Sequence, residues 1–184
     1  MGCLTMFKDP CIFLCEGSSV VVYTQPISVA VSACLMGENC TYKATNNLLD
    51  CADELEQICN VVRICPESQG GLTCPRNPAE IQGDRVRMND GTDVTDAFKR
   101  GADQACKDAL AAGCTYALLK EKSPSCGFGR VYDGTFSKTL IEGNGYGAEA
   151  LHKAGITIYG DTRACELIEI LQHECELKSL QAHE

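Results

Sequence analysis

Residues 115–129 read TYALLKEKSPSCGFG. Tyr116, Ala117, Leu118 and Leu119 form a compact apolar run with no helical repeat, whereas residues 94–112 before it carry one and stop at Gly113. A helix, a stop and a short apolar run predict a helix feeding a buried parallel strand. The strand gives way to Lys120, Glu121 and Lys122, then to Ser123-Pro124-Ser125-Cys126-Gly127. Pro124 lacks an N–H and Gly127 tolerates positive φ, so this loop has a fixed shape with its backbone open to a ligand. A thiol in such a loop, at the carboxyl end of a strand, stands where open α/β sheets place their chemistry.

Working outward, Ile27, Val29 and Val31 alternate with the small Ser28, Ala30 and Ser32, which suits a buried strand with helices packed close on it. It runs straight into Cys34-Leu35-Met36-Gly37, then Cys40. Asn46 is expected to cap a helix reaching about Cys59, with Leu48, Leu49, Ala52, Leu55 and Ile58 as its stripe. Val61, Val62 and Ile64 form a second strand that ends at Cys65-Pro66-Glu67. Residues 68–78 are irregular, 85–88 read as a small strand, and Asn89-Asp90-Gly91 as a turn. Asp93 is expected to cap the helix over 94–112, whose stripe is Phe98, Ala102, Ala105, Cys106, Ala109 and Leu110.

Tyr132-Asp133-Gly134 is a turn signal. Gly143, Gly145 and Gly147 lack both the dinucleotide spacing and the Lys-Ser/Thr of a phosphate loop, and read as a flexible loop entering a helix over 148–154. Residues 156–159 are a last strand and 162–180 a closing amphipathic helix. This alternation predicts an α/β fold: a single three-layer domain over 27–184 with a short, mostly parallel, Rossmann-like sheet. Residues 1–26 read as an extension of unknown role. There Cys11 and Cys15 have the spacing that opens a radical cluster motif, but Ser18 occupies the third position, and Met1-Gly2-Cys3 lacks the rest of a myristoylation signal.

The 184 residues suffice for one sizeable core. A net charge of −9 argues against nucleic acid as a partner, and no apolar run approaches a membrane span. Fourteen cysteines are the outlying number, a usage shared by disulfide scaffolds and metal proteins. Lys8, Asp9 and Pro10 stand where a signal peptide should become apolar, so reduced thiols in a cytoplasmic protein are expected. Cys106, Cys165 and Cys175 read as small core residues.

Cys34 follows the first strand, Cys65 ends the second and Cys126 lies just past the third. In a parallel sheet these ends share one edge, so the three thiols can converge. Three soft ligands from separate loops suit an iron–sulfur cluster, whereas zinc sites favour local C-x-x-C pairs, of which this chain has none. Three thiolates on a four-iron cluster leave one iron open to act as a Lewis acid, and four suit electron transfer. Cys40 and Cys74 are the possible fourth ligands. Glu67 is either a general acid or base beside the site or a solvated loop charge, and Ser123 and Ser125 either bind substrate or cap their turn. His152, His173 and His183 fall in or beyond late helices, which disfavours a Cys–His nucleophile.

Several motifs follow in order: Ser32-Ala-Cys34-Leu-Met-Gly37, Cys40, Cys65-Pro-Glu67, Gly70-Gly-Leu72, Pro75-Arg-Asn-Pro78-Ala-Glu80-Ile81, Gly91-Thr-Asp-Val-Thr95, Ser123-Pro-Ser-Cys-Gly127 and Tyr132-Asp-Gly134. Over residues 27–159 the chain resembles the thiouracil desulfidase family. The resemblance implies a [4Fe-4S] cluster held by Cys34, Cys65 and Cys126 with one free iron. It implies removal of sulfur from a thiolated pyrimidine such as 2-thiouracil, giving uracil without net redox change, with Glu67 as the acidic residue and Ser123 as an assisting hydroxyl. The chain departs from the family at Thr41-Tyr42-Lys43-Ala44, where an Arg-Tyr-Asp-Gly run is usual, and at Gly145-Tyr146-Gly147 in place of Gly-Val-Thr. The rival readings are an iron–sulfur electron carrier or sensor and a zinc-binding structural module.

Overall fold

The computed structural model describes residues 26–181, so the readings made on Met1-Gly2-Cys3, Cys11, Cys15, Ser18 and His183 lie outside the described residues. Its centre is a four-stranded parallel sheet of β1 (Ser28–Ser32), β2 (Asn60–Ile64), β5 (Tyr116–Leu119) and β8 (Thr157–Gly160), in the order β2-β1-β5-β8. The two antiparallel hairpins are β3 (Ala79–Gln82) with β4 (Arg85–Met88), and β6 (Arg130–Tyr132) with β7 (Leu140–Glu142). The helices are α1 (Ala52–Ile58), the single turn α2 (Pro66–Gln69), α3 (Thr95–Ala111), α4 (Tyr146–Lys153) and α5 (Ala164–Gln181).

Side chains alternate across the sheet and so select its two helical layers. Val29, Val31 and Leu118 pack with Leu55 of α1 and Leu167 and Leu171 of α5. Ala30, Ala117 and Leu119 pack with Ala105 and Ala109 of α3 and Ala148 and Leu151 of α4. The small residues on this second face are those that let helices approach closely. Parallel pairing puts Ser32 beside Ile64 and Val31 beside Leu118, so the carboxyl ends of β1, β2 and β5 share one edge. The strand order reverses between β1 and β5, the place where such sheets open a crevice.

Four expectations need correction. Residues 46–49 are not helical, because Asn47 and Leu49 donate their N–H groups to Cys34 and Leu35 carbonyls and Asn46 Oδ1 accepts from Leu48 N–H. Local side-chain and tertiary hydrogen bonds there displace the helix, which starts only at Ala52. Leu110 is 52% exposed, turned off the stripe that buries Ala105 and Ala109. Cys165 is exposed too, since Ala164, Leu167, Ile168, Leu171 and Cys175 form the buried stripe of α5. Finally, the glycine run is no flexible loop. The first turn of α4 is fastened to the cysteine loop, with Tyr146 N–H on Pro124 O and Gly147 and Ala148 N–H on Ser125 O. A Cβ on Gly145 would stand 2.6 Å from the Ser125 carbonyl carbon, which accounts for glycine there.

Helix α3 opens at Thr95, with Asp93 Oδ1 accepting the Thr95 N–H and hydroxyl just outside the cap. It passes so close to α2 that a Cβ on Gly101 would lie 1.7 Å from Pro66 O. Gly101→Ala is therefore expected to displace the Cys65-Pro66-Glu67 segment and cost at least about 1–3 kcal/mol, the usual range for overpacking, as read from a lowered midpoint of thermal unfolding.

Candidate active site

A cavity of about 770 Å³ opens at the shared strand edge, and Cys34, Cys65 and Cys126 all line it. Cys34 sits in a 3₁₀ turn directly after β1 (Ala33–Met36), which Gly37 closes with φ +87°. Cys65 is the N-cap of α2, and its N–H reaches Gln69 Oε1 at 3.2 Å. Gln69 is held in turn by Asp108 of α3 at 2.6 Å. Cys126 lies in the loop that α4 fastens, and Ser123 Oγ accepts the N–H groups of Ser125 and Cys126 at 3.1 and 3.2 Å. Ser123 thus caps its turn, and its own hydroxyl hydrogen is not consumed by either bond. The edge is further pinned by Asp161, which pairs with Lys120 Nζ and accepts the Glu121 N–H at 2.8 Å.

The three thiols differ in environment. Hydrogen bonding with the Cys40 thiol, from the loop after Cys34, outweighs burial and draws Cys65 down to about 6 and also lowers Cys34. Cys40 itself is pushed far up by the same bonds. Cys126 is raised by burial. Among the described residues all of these cysteines are free thiols. Soft donors with two members already biased towards thiolate, gathered from separate strand ends on one cavity, fit a thiophilic metal cluster.

Glu67 lines the same cavity, and both its oxygens are engaged. Oε1 accepts from Ser125 Oγ at 3.1 Å, and Oε2 accepts from Arg76 Nε at 2.8 Å and pairs with Nη2 at 2.6 Å. The Arg76 side chain is 5% exposed and also donates to the Cys40 and Thr73 carbonyls and to Cys74 Sγ. Burial works against its charge, and Glu67 and Cys74 more than offset this. One guanidinium therefore ties the carboxylate to the loops on either side of it. Arg76→Leu is expected to leave the half-buried Glu67 carboxylate without its ion-pair partner, at about 3 kcal/mol in global stability, measurable by denaturant unfolding.

Every site residue expected from the sequence lines this cavity: Cys34, Cys65, Cys126, Glu67 and Ser123. Of the two candidate fourth thiols, Cys40 reaches the site, while the exposed Cys74 bonds to Thr41 O and Arg76 instead. Arg76 and the Glu67–Ser125 bond were missed. Arg76 was visible in the Pro75-Arg76 motif, but nothing in spacing tells that its fork reaches back nine residues to a carboxylate.

Residues 29–162 match the family model described as 2-thiouracil desulfurase. A solved structure, that of a [4Fe-4S]-dependent thiouracil desulfidase TudS, is similar with a TM-score of 0.74 and 39% identity, covering 79% of this chain and 98% of that one. The uncharacterized protein YbbK of Bacillus subtilis is 35% identical over 153 residues, covering 78% of this chain and 99% of that protein. With a family model spanning most of the sequence and a cavity that gathers the expected thiols, this chain belongs to the 2-thiouracil desulfurase family.

Proposed function

We propose that this protein is a desulfidase that removes sulfur from a thiolated pyrimidine such as 2-thiouracil, with a [4Fe-4S] cluster held by Cys34, Cys65 and Cys126. The observation that carries the reading is the convergence of those three thiols and the anchored Glu67 carboxylate on one cavity. When bound, such a cluster supplies a thiophilic Lewis acid for the sulfur of a thione, whose carbon becomes more open to attack. Glu67 acts on the water: its carboxylate takes one proton as the oxygen bonds to the ring carbon. The same carboxyl returns that proton as the carbon–sulfur bond breaks. Thiouracil and water give uracil and hydrogen sulfide, with no electron transferred. Arg76 and Ser125 keep Glu67 aimed into the cavity throughout, and the Ser123 hydroxyl donates its remaining hydrogen to the substrate.

The test is anaerobic turnover of 2-thiouracil, followed as uracil and sulfide. Replacement of Cys40 or Cys74 by Ser is expected to leave a four-iron cluster in place, measured as iron and sulfide content. Loss of iron in either variant would favour four thiolates and an electron carrier.

A further inference from the structure

Among the described residues, the non-glycine positions with positive φ are Ala44, Lys122, Phe136 and Lys138. Lys122, Phe136 and Lys138 line the thiol cavity, and Ala44 lies between two residues that do. Phe136 is the aromatic one, at φ +59°. An aromatic side chain pays a steric penalty in the left-handed region and persists there only where its surroundings over-determine it. Here they do. Glu80 of β3 is 7% exposed, and its Oε2 accepts the Phe136 N–H at 2.9 Å. Gln82, two residues on along the same strand, donates to the Gly134 carbonyl at 2.6 Å. At the loop's other flank the Asp133 N–H meets Thr139 O at 3.0 Å. A buried carboxylate used to fix one strained backbone N–H at a cavity wall needs a reason beyond packing.

We infer that Phe136 is the surface on which the planar heterocyclic ring of the substrate stacks, and that Glu80 is the positioning residue that holds it there. The identity of that ring rests on the desulfidase reading; the aromatic wall does not. Every nucleobase presents a π face, so a fixed phenyl ring in the cavity recognises planarity, while the polar groups around it choose the edge.

Cluster-loaded protein titrated calorimetrically with uracil tests this, with iron content checked in each variant. Phe136→Leu should weaken uracil binding about 5- to 150-fold, the range for losing one base–aromatic stack, and Phe136→Tyr should bind like the wild type. Glu80→Ala should weaken it similarly, and Glu80→Gln, which keeps an acceptor for the Phe136 N–H, should restore it. Dihydrouracil, with the same polar edge on a puckered ring, should bind the wild type less well than uracil, and that preference should vanish in Phe136→Leu. Failure of uracil to bind the wild type, equal affinity in Phe136→Leu, or a planarity preference that survives there would overturn the stacking role. A wild type that shows the full pattern yet converts no 2-thiouracil refutes the desulfidase reading and leaves the stacking role standing. Conversion with unchanged kcat/KM in Phe136→Leu does the reverse.

Discussion

Cys65→Ser is expected to lose its cluster, with iron and sulfide falling to background in protein purified without oxygen. A serine hydroxyl is a hard, weakly acidic donor, whereas this position offers a thiol drawn down to about 6 by the Cys40 hydrogen bond. Cys74 cannot stand in for it, because that thiol is turned to Arg76 and Thr41. Cys34→Ser and Cys126→Ser should behave alike, since each supplies a ligand from a different strand end. Cys106→Ser and Cys165→Ser are the controls: one is half-buried against α4 and the other exposed, and neither should change iron content. Full iron in Cys65→Ser would end the ligand assignment.

The second large effect is on rate alone. Glu67→Gln should load its cluster normally and convert 2-thiouracil slower by about 10²–10⁴-fold, the usual worth of a positioned proton-transfer group. Gln keeps the shape, and its carbonyl can still accept from Arg76 or Ser125, but it cannot take a proton from water. Single-turnover measurement of uracil formation separates this from product release. A fully loaded variant with near-normal turnover would reduce Glu67 to the ion-pair partner of Arg76.

Much of this frame was legible because it rests on local patterns. The apolar runs at Val29, Val61, Leu118 and Ile158 became the four parallel strands, and the cysteines after three of them met as parallel geometry requires. What stayed hidden depends on contacts between distant residues. Leu48 and Leu49 carry helical spacing, yet their segment is spent on hydrogen bonds to the turn that bears Cys34. Residues 79–82 sit after a Gly- and Pro-rich stretch and hold only one aliphatic besides Ala79, so β3 exists through pairing with β4. Cys165 and Leu110 matched an apolar stripe in residue type, and a single step of about 100° around the helix put each outside it. The site was readable as a list of residues; the clamp that aims it was not, because Arg76 and Ser125 meet Glu67 across 9 and 58 positions of sequence.

The central claim is tested most directly by stoichiometry. Protein purified and reconstituted without oxygen, given 2-thiouracil and no reductant or oxidant, should release uracil and sulfide in equal amounts over many turnovers. A brown, iron-loaded protein that forms no uracil, or one that forms it only when electrons are supplied, would contradict the account.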